Sequence, residues 1–214
     1  MSDTTITTEP RRRILPPHSI RPDFLPPQLV SDLLACAEEN ESRFKPARVG
    51  RGAGMRLNPA FRVSSKLNDF GPLKSELENR LRPLAPELAA QLQVQPFEIS
   101  RLELELVAHN DGAFYKPHID LQRPAEGETL ANMRVLSGVY YLHAMPKAFE
   151  GGALRLLEIG NPSKDRGFVD IEPVHNSLVF FPSWMPHEVR PVSCPSGRFM
   201  DSRFAINCWF HRAA

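Results

Sequence analysis

The feature that most constrains the fold is a change in hydrophobic period after Gln95. Over residues 99–106 leucines alternate with charged residues, which is the pattern of a strand with one buried face. Further short apolar segments follow, separated by Gly and Pro turns, at residues 135–142, 153–157, 168–171, 177–181, 187–192 and 202–210. Many short strands punctuated by turns predict a β-sandwich or jelly roll in this part of the chain.

The first half of the chain has helical spacing instead. Leucines recur at helical intervals from Pro27, which predicts a first helix. A second helix is predicted over residues 72–92, where Pro83 and Pro86 should break or kink it. We therefore expect a mainly β fold with flanking helices (α+β), in which the helices pack outside one sheet of a jelly roll.

The domain organisation follows from the same pattern. Residues 1–17 are polar and Thr-rich and are predicted to form a flexible tail. Residues 18–214 are predicted to form a single domain, with a helical part at 27–93 and a jelly-roll core at 96–212.

Charge and cysteine usage narrow the function classes. The formal net charge of the 214 residues is +1, so no strong field attracts nucleic acid or an anionic membrane. We find neither an apolar run that would span a bilayer nor a secretory signal, and expect no membrane association. Three well-separated cysteines predict free thiols in a reducing compartment, and hence a cytoplasmic location. The oligomeric state is left open.

A His-x-Asp pair lies in residues 113–120. In an extended strand residues i and i+2 point to the same side, so His118 and Asp120 would project together. An imidazole and a carboxylate on one face are two of the three ligands in the 2-His-1-carboxylate triad of non-haem Fe(II). The pair alone is a weak signal, because a surface His beside a solvated Asp has the same spacing. His187, which follows a very apolar strand, is the best candidate for the third ligand.

A second candidate feature is Arg203, which opens the last predicted strand among apolar residues. A buried unpaired charge is very costly, so this arginine needs an anionic partner. A dicarboxylate cosubstrate would supply one through a bidentate pair. The three tyrosines, Tyr115, Tyr140 and Tyr141, all fall in segments that would line the same pocket.

Residues 48–56 form a basic, Gly-rich stretch without the spacing of a phosphate-binding loop. One interpretation is a flexible, solvated loop. The other is a loop that faces the substrate and meets a carboxylate or other anion through one of its arginines. The arginines concerned are Arg48, Arg51, Arg56 and Arg62.

The ordered set of these motifs resembles the prolyl 4-hydroxylase-like branch of the Fe(II)- and 2-oxoglutarate-dependent dioxygenases. The matching segments lie in order over about half of the chain: residues 112–120, 139–142, 151–155 and 181–192, then Arg203 six residues before Trp209. The resemblance implies a double-stranded β-helix fold.

The resemblance also implies roles for site residues. Iron would be held by His118, Asp120 and His187. Arg203 would pair with the distal carboxylate of 2-oxoglutarate. Tyr141 would hydrogen-bond to that carboxylate and Tyr115 would line the pocket near the metal.

The activity that the resemblance implies is hydroxylation of a C–H bond with O2, coupled to decarboxylation of 2-oxoglutarate to succinate and CO2. The substrate would be a peptidyl residue or a small amino-acid-like metabolite, and a carboxylate-bearing one would suit the basic loop. Ascorbate is a candidate additional cofactor. The alternative is a cupin-like metal-binding jelly roll that does not use 2-oxoglutarate.

Two departures from the family pattern stand out. Many relatives have a Tyr where this chain has His109, which could be a changed pocket wall, a substrate contact or a histidine satisfied by its surroundings. Residues 193–201 are an insertion, which makes Arg198 a competitor for the role of Arg203. We prefer Arg203, because its spacing to Trp209 matches the family and it begins a strand. His143 is a candidate for contact with the substrate or with the metal ligands; the remaining histidines, His18, His175 and His211, are expected to be structural.

Overall fold

The computed structural model describes residues 16–50, 54–121, 133–159 and 167–213. Within these ranges the helices are α1 (Pro27–Glu39), α2 (Pro72–Leu81) and α3 (Ala85–Gln91). The strands are β1 (Ser19–Arg21), β2 (Lys45–Pro46), β3 (Arg62–Val63), β4 (Ser65–Leu67), β5 (Ile99–His109), β6 (Phe114–His118), β7 (Arg134–Leu142), β8 (Glu150–Gly151), β9 (Leu154–Leu157), β10 (Phe168–Ile171), β11 (Ser177–Pro182), β12 (His187–Val189), β13 (Val192–Ser193) and β14 (Arg203–Arg212).

Two antiparallel sheets organise these strands. The larger has the order β1-β11-β7-β14-β5-β4-β2, the smaller has the order β10-β9-β12-β6-β3, and β13 pairs with β8 separately. The long strand β14 lies between β5 and β7 and centres the larger sheet. This arrangement confirms the predicted mainly β jelly roll with flanking helices.

Side-chain alternation gives the larger sheet two different faces. Tyr140, Phe204 and Ile206 pack with the leucines of the three helices on the outer face. Their neighbours Tyr141 and Ala205 instead face the smaller sheet, where they pack with residues of β9 and β10. The helices therefore cover one face, and the other face is left to line a cleft between the sheets.

The prolines shape the helical part as predicted. α2 ends at Leu81, a 3-10 turn that contains Pro83 follows, and α3 begins at Ala85 with Pro86 in its first turn. Proline is tolerated there because the first-turn N–H groups have no intrahelical partner. Residues 27–93 also contribute β2, β3 and β4, which we did not predict, because strands of two or three residues carry no periodic signal.

Three further expectations concern the tail, the cysteines and a membrane span. Residues 1–15 of the predicted tail lie outside the described residues. Cys36, Cys194 and Cys208 are all free thiols, as expected. In the part of the chain that the structure describes, no helix has the length and apolar character needed to cross a membrane.

Asn176 fastens the segment before α1 to the larger sheet. Its backbone is left-handed at φ 57°, and its Oδ1 accepts hydrogen bonds from the Leu25 N–H and the Tyr140 hydroxyl, both at 2.9 Å. Its Nδ2 donates to the Leu25 carbonyl oxygen at 2.9 Å. Tyr140 lies in a segment that was expected to line the pocket, but its side chain packs on the outer face with the helices, because adjacent strand residues point to opposite faces.

We expect Asn176→Ala to lower the free energy of unfolding by about 2–4 kcal/mol, since it removes three buried hydrogen bonds at a backbone conformation that alanine disfavours. Tyr140→Phe removes one of the three and should cost about 1 kcal/mol. Urea denaturation of both variants measures the difference. Equal losses would contradict the anchoring role of the Asn176 amide.

Candidate active site

The structure brings the three predicted metal ligands together. His118 at the end of β6 lies opposite His187 at the start of β12, and Asp120 follows two residues later. Nε2 of His118 lies 3.8 Å from Oδ1 of Asp120, and Nε2 of His187 lies 3.5 Å from Oδ2. One ligand atom from each residue lies within 4.8 Å of the others. Two imidazoles and a carboxylate at this spacing are the donor set of a non-haem Fe(II) site.

Hydrogen bonds fix the orientation of both imidazole rings. Nδ1 of His118 lies 2.8 Å from the carbonyl oxygen of Lys116, and Nδ1 of His187 lies 2.8 Å from that of Met185. Because a carbonyl oxygen only accepts, each Nδ1 carries the proton and each Nε2 presents its lone pair to the cluster. The rings are therefore oriented for metal binding.

The Asp120 carboxylate is buried and well supported. Its Oδ2 accepts a hydrogen bond from the Ser137 hydroxyl at 2.8 Å. Burial alone would raise the pKa of Asp120, but His187, His118 and Arg134 outweigh it and hold the pKa at about 2. Burial, with His187 adding to it, lowers the pKa of His118 to about 3. At neutral pH the cluster thus has the anionic carboxylate and neutral imidazole that metal ions require.

Arg203 lies on the inner face of β14 and is 1% exposed. Its Nη1 donates to Nδ1 of His109, its direct partner in β5, at 3.2 Å. Among the described residues, its Nε and Nη2 and the Tyr141 hydroxyl are buried without a hydrogen-bond partner. Such groups are expensive to leave unpaired, so the site fits a carboxylate that would accept from all three.

Glycine at position 152 makes room for this arginine. A Cβ there would lie 2.5 Å from Cδ of Arg203, and the backbone has φ +73°. Both observations disfavour larger residues at position 152, which explains the glycine there.

Arg198, the other candidate for binding the 2-oxoglutarate carboxylate, lies away from the cleft. Arg198 is 77% exposed at its side chain and pairs with Asp201 at 2.8 Å. It does not line the cleft that holds the metal cluster and Arg203. His143 also lies outside that lining: it is buried against Phe149 and His175 beyond the end of β7.

A cleft of about 970 Å³ joins the metal cluster to Arg203. Tyr115 forms part of its wall and stacks on His118, with ring centres 3.5 Å apart. Of the arginines in and after the basic stretch, Arg48 and Arg62 line the cleft and Arg56 does not. Arg51 lies outside the described residues.

Sequence reasoning missed a charged network on the cleft wall. Arg134 lies 2.9 Å from Glu103 and 4.0 Å from Asp120, and its guanidinium carbon is 3.8 Å from the Trp209 ring centre. Nε2 of His211 also lies 2.9 Å from Glu103. Burial raises the pKa of Glu103, but His211 and Arg134 outweigh it and hold the pKa at about 2. The alternation in β5 indicated that Glu103 faces away from the leucines, but not that a second sheet would enclose that face.

The sequence is similar to that of a curated hydroxylase. An uncharacterised PKHD-type hydroxylase of Synechocystis sp. is 41% identical over 194 residues, which is 89% of this chain and 61% of that protein. The chain thus spans about three fifths of the length of this curated relative.

Solved structures show the same fold. A prolyl-4-hydroxylase of Pseudomonas putida has a TM-score of 0.66 at 25% identity, covering 92% of this chain and 94% of that one. A prolyl hydroxylase of Trichoplax adhaerens, solved with a peptide fragment of the hypoxia inducible factor oxygen degradation domain, has a TM-score of 0.63 at 19% identity, covering 92% and 84%. Residues 104–211 match the sequence model of the 2OG-Fe(II) oxygenase superfamily. The chain belongs to this superfamily, whose members use Fe(II), 2-oxoglutarate and O2.

Proposed function

We propose that the protein is an Fe(II)- and 2-oxoglutarate-dependent dioxygenase that hydroxylates a C–H bond. Its substrate would be a peptidyl residue or a small amino-acid-like metabolite, and 2-oxoglutarate would be converted to succinate and CO2. The observation that carries the proposal is the presence, in one cleft, of the His118–Asp120–His187 cluster and of a buried arginine, two of whose guanidinium nitrogens have no hydrogen-bond partner among the described residues.

Each residue has a defined task in this proposal. His118, Asp120 and His187 would hold Fe(II), and a triad of this kind leaves further coordination positions open. When bound, the iron supplies the O2 chemistry that no side chain can perform. Arg203 would bind the distal carboxylate of 2-oxoglutarate through Nε and Nη2. Burial raises the pKa of Tyr141 to about 12, so its hydroxyl stays protonated and can donate to the same carboxylate.

His109 would act as a positioning residue for Arg203. Its Nδ1 accepts from Nη1 of Arg203, and its pKa is held well below the ordinary value by burial and then by the charges of Arg203 and Arg62. A neutral imidazole at this position accepts from Nη1 and leaves Nε and Nη2 for the cosubstrate. Of the three alternatives left open by the sequence, two have support: His109 is part of the wall of the cleft, and its ring is satisfied by the hydrogen bond with Arg203.

We expect His109→Phe to raise the KM for 2-oxoglutarate about tenfold, because Nη1 of Arg203 loses its buried acceptor. His109→Asn, which keeps an acceptor, should recover much of that loss. Steady-state kinetics at varied 2-oxoglutarate separates KM from kcat, and Fe(II) affinity should not change. Equal KM values in the Phe variant and the wild type would contradict the positioning role.

The test of the proposed function is the formation of succinate. The purified protein would be incubated with Fe(II), 2-oxoglutarate and O2, with and without ascorbate, and succinate would be quantified by NMR. We expect slow succinate formation that requires iron and is absent from His187→Ala. Consumption of 2-oxoglutarate that is equal in the two proteins, or iron binding without any consumption, would contradict the proposal.

A further inference from the structure

The described residues that line the cleft carry a surplus of positive charge. Among its described lining residues there are six cations and three carboxylates. The cations with a carboxylate beside them are Lys66 with Glu105, and Arg101 and Arg134 with Glu103. The third carboxylate, Asp120, belongs to the metal cluster. Fe(II) and 2-oxoglutarate carry equal and opposite charges, so binding both would leave the surplus in place.

Three of the lining cations remain without a carboxylate beside them among the described residues. Arg203 is assigned to 2-oxoglutarate, and the other two are Arg48 and Arg62. Neither forms an ion pair with any carboxylate in the part of the chain that the structure describes. Arg48 is exposed, whereas Arg62 is half-buried. An unpaired, partly desolvated arginine in a cleft is a binding site for a carboxylate.

Arg62 is held in a defined position close to the metal cluster. It lies opposite Tyr115 in the pairing of β3 with β6, and its guanidinium carbon is 4.7 Å from the centre of the Tyr115 ring. Its Nε donates to the Ser64 hydroxyl at 3.0 Å. Because Tyr115 itself stacks on His118, a single aromatic ring separates the guanidinium from a metal ligand.

We infer that Arg62 binds a carboxylate of the substrate, with Arg48 adding positive charge at the same cleft; this rests on the proposed function. The cleft volume lies near the upper end of the roughly 300–1,000 Å³ of small-molecule sites, so a second molecule fits beside 2-oxoglutarate. A carboxylate fixed on a planar guanidinium orients the rest of the substrate, which positions one C–H bond at the iron. The substrate is thus an acid, either a free amino-acid-like metabolite or a peptide with an acidic residue near the target carbon.

The experiment compares acids with their carboxamides. The protein is loaded anaerobically with Fe(II) and 2-oxoglutarate, and three probe sets are added: free L-amino acids, N-acetyl-L-amino acids, and short peptides with an internal Asp or Glu. Each acid is paired with its amide. Binding is followed as a change in the visible absorption band of the iron-bound keto acid, and O2 is then admitted to measure succinate. We expect acids that bind at least tenfold more tightly than their amides, and the probe set that contains them identifies the source of the carboxylate.

Variants at Arg62 test whether this side chain binds the substrate carboxylate. Arg62→Ala should weaken binding of those acids at least tenfold while the KM for 2-oxoglutarate stays unchanged. Arg62→Gln, which retains a donor to Ser64 and contact with Tyr115, should show the same loss and guards against a folding defect. Arg80→Ala removes an exposed arginine that pairs with Glu76 within α2 and should have no effect.

The outcomes are distinguishable. If no absorption band forms before a probe is added, the proposed function fails. If the band forms but no acid binds better than its amide, the inference about Arg62 is overturned and the proposed function stands. A rise in the KM for 2-oxoglutarate in Arg62→Ala, without loss of acid binding, would assign Arg62 to the cosubstrate and also overturn the inference.

Discussion

Replacing Arg203 with alanine is expected to raise the KM for 2-oxoglutarate about 100-fold or more while Fe(II) binding is retained. The guanidinium is 1% exposed, so its pair with a carboxylate would be desolvated, and losing such a pair costs about 2–5 kcal/mol. The Arg203 side chain contacts His109 and Tyr141, neither of which is a metal ligand, so its removal should not change Fe(II) affinity. Steady-state kinetics at varied 2-oxoglutarate and anaerobic Fe(II) titration measure the two effects separately.

Arg198 supplies the matched control. It is the other arginine that the sequence offered as a partner for the 2-oxoglutarate carboxylate. Its exposed ion pair with Asp201 contributes little to stability. Arg198→Ala should therefore leave the KM for 2-oxoglutarate unchanged, and Arg203→Lys should fall between alanine and wild type, because a lysine keeps the charge but not the bidentate geometry. A KM that rises in Arg198→Ala and not in Arg203→Ala would reverse the assignment.

Asp120→Asn is expected to reduce Fe(II) affinity more than 100-fold and succinate formation to background. The change keeps the shape of the side chain, including an acceptor for the Ser137 hydroxyl, but removes the anionic charge that the metal needs. Changes to groups that merely support a ligand already cost about 10–100-fold in metal affinity, so a ligand should cost more. Anaerobic titration with Fe(II) measures the affinity directly.

Asp69→Asn is the control for a general effect of charge. The Asp69 side chain is 79% exposed, and its nearest ion pair, with Arg43, is 3.7 Å long. Its iron affinity and succinate formation should match those of the wild type. An Asp120→Asn protein that binds Fe(II) as tightly as the wild type would exclude Asp120 as a ligand.

Much of the fold is encoded in local patterns. The period-two alternation of β5 predicts which residues face the helices, and Pro83 and Pro86 predict the break between α2 and α3. The surroundings of the opposite face depend on a sheet that forms from distant segments. For that reason the sequence placed Glu103 only on the charged face of a half-buried strand. In the structure it belongs to an enclosed charged network beside Arg134.

The candidate site was likewise predicted from the sequence only in part. The order of motifs predicted the cluster of His118, Asp120 and His187 that the structure brings together. The pairing of His109 with Arg203 depends on the register of β14 against β5, two strands far apart in the sequence, so no local pattern revealed it. Tyr140 and Tyr141 share a segment that was expected to line the pocket, and alternation sends their side chains to opposite faces, so that Tyr141 faces the smaller sheet and Tyr140 faces the helices.

The most direct measurement is an anaerobic titration of the protein with Fe(II) and then with 2-oxoglutarate, followed by visible absorption. Our account predicts a saturable charge-transfer band of a keto acid bound to iron. The band should be absent from alanine variants of His118, Asp120 and His187, and should need far more 2-oxoglutarate in Arg203→Ala. Iron that binds with wild-type affinity and gives no band at any 2-oxoglutarate concentration would contradict the account.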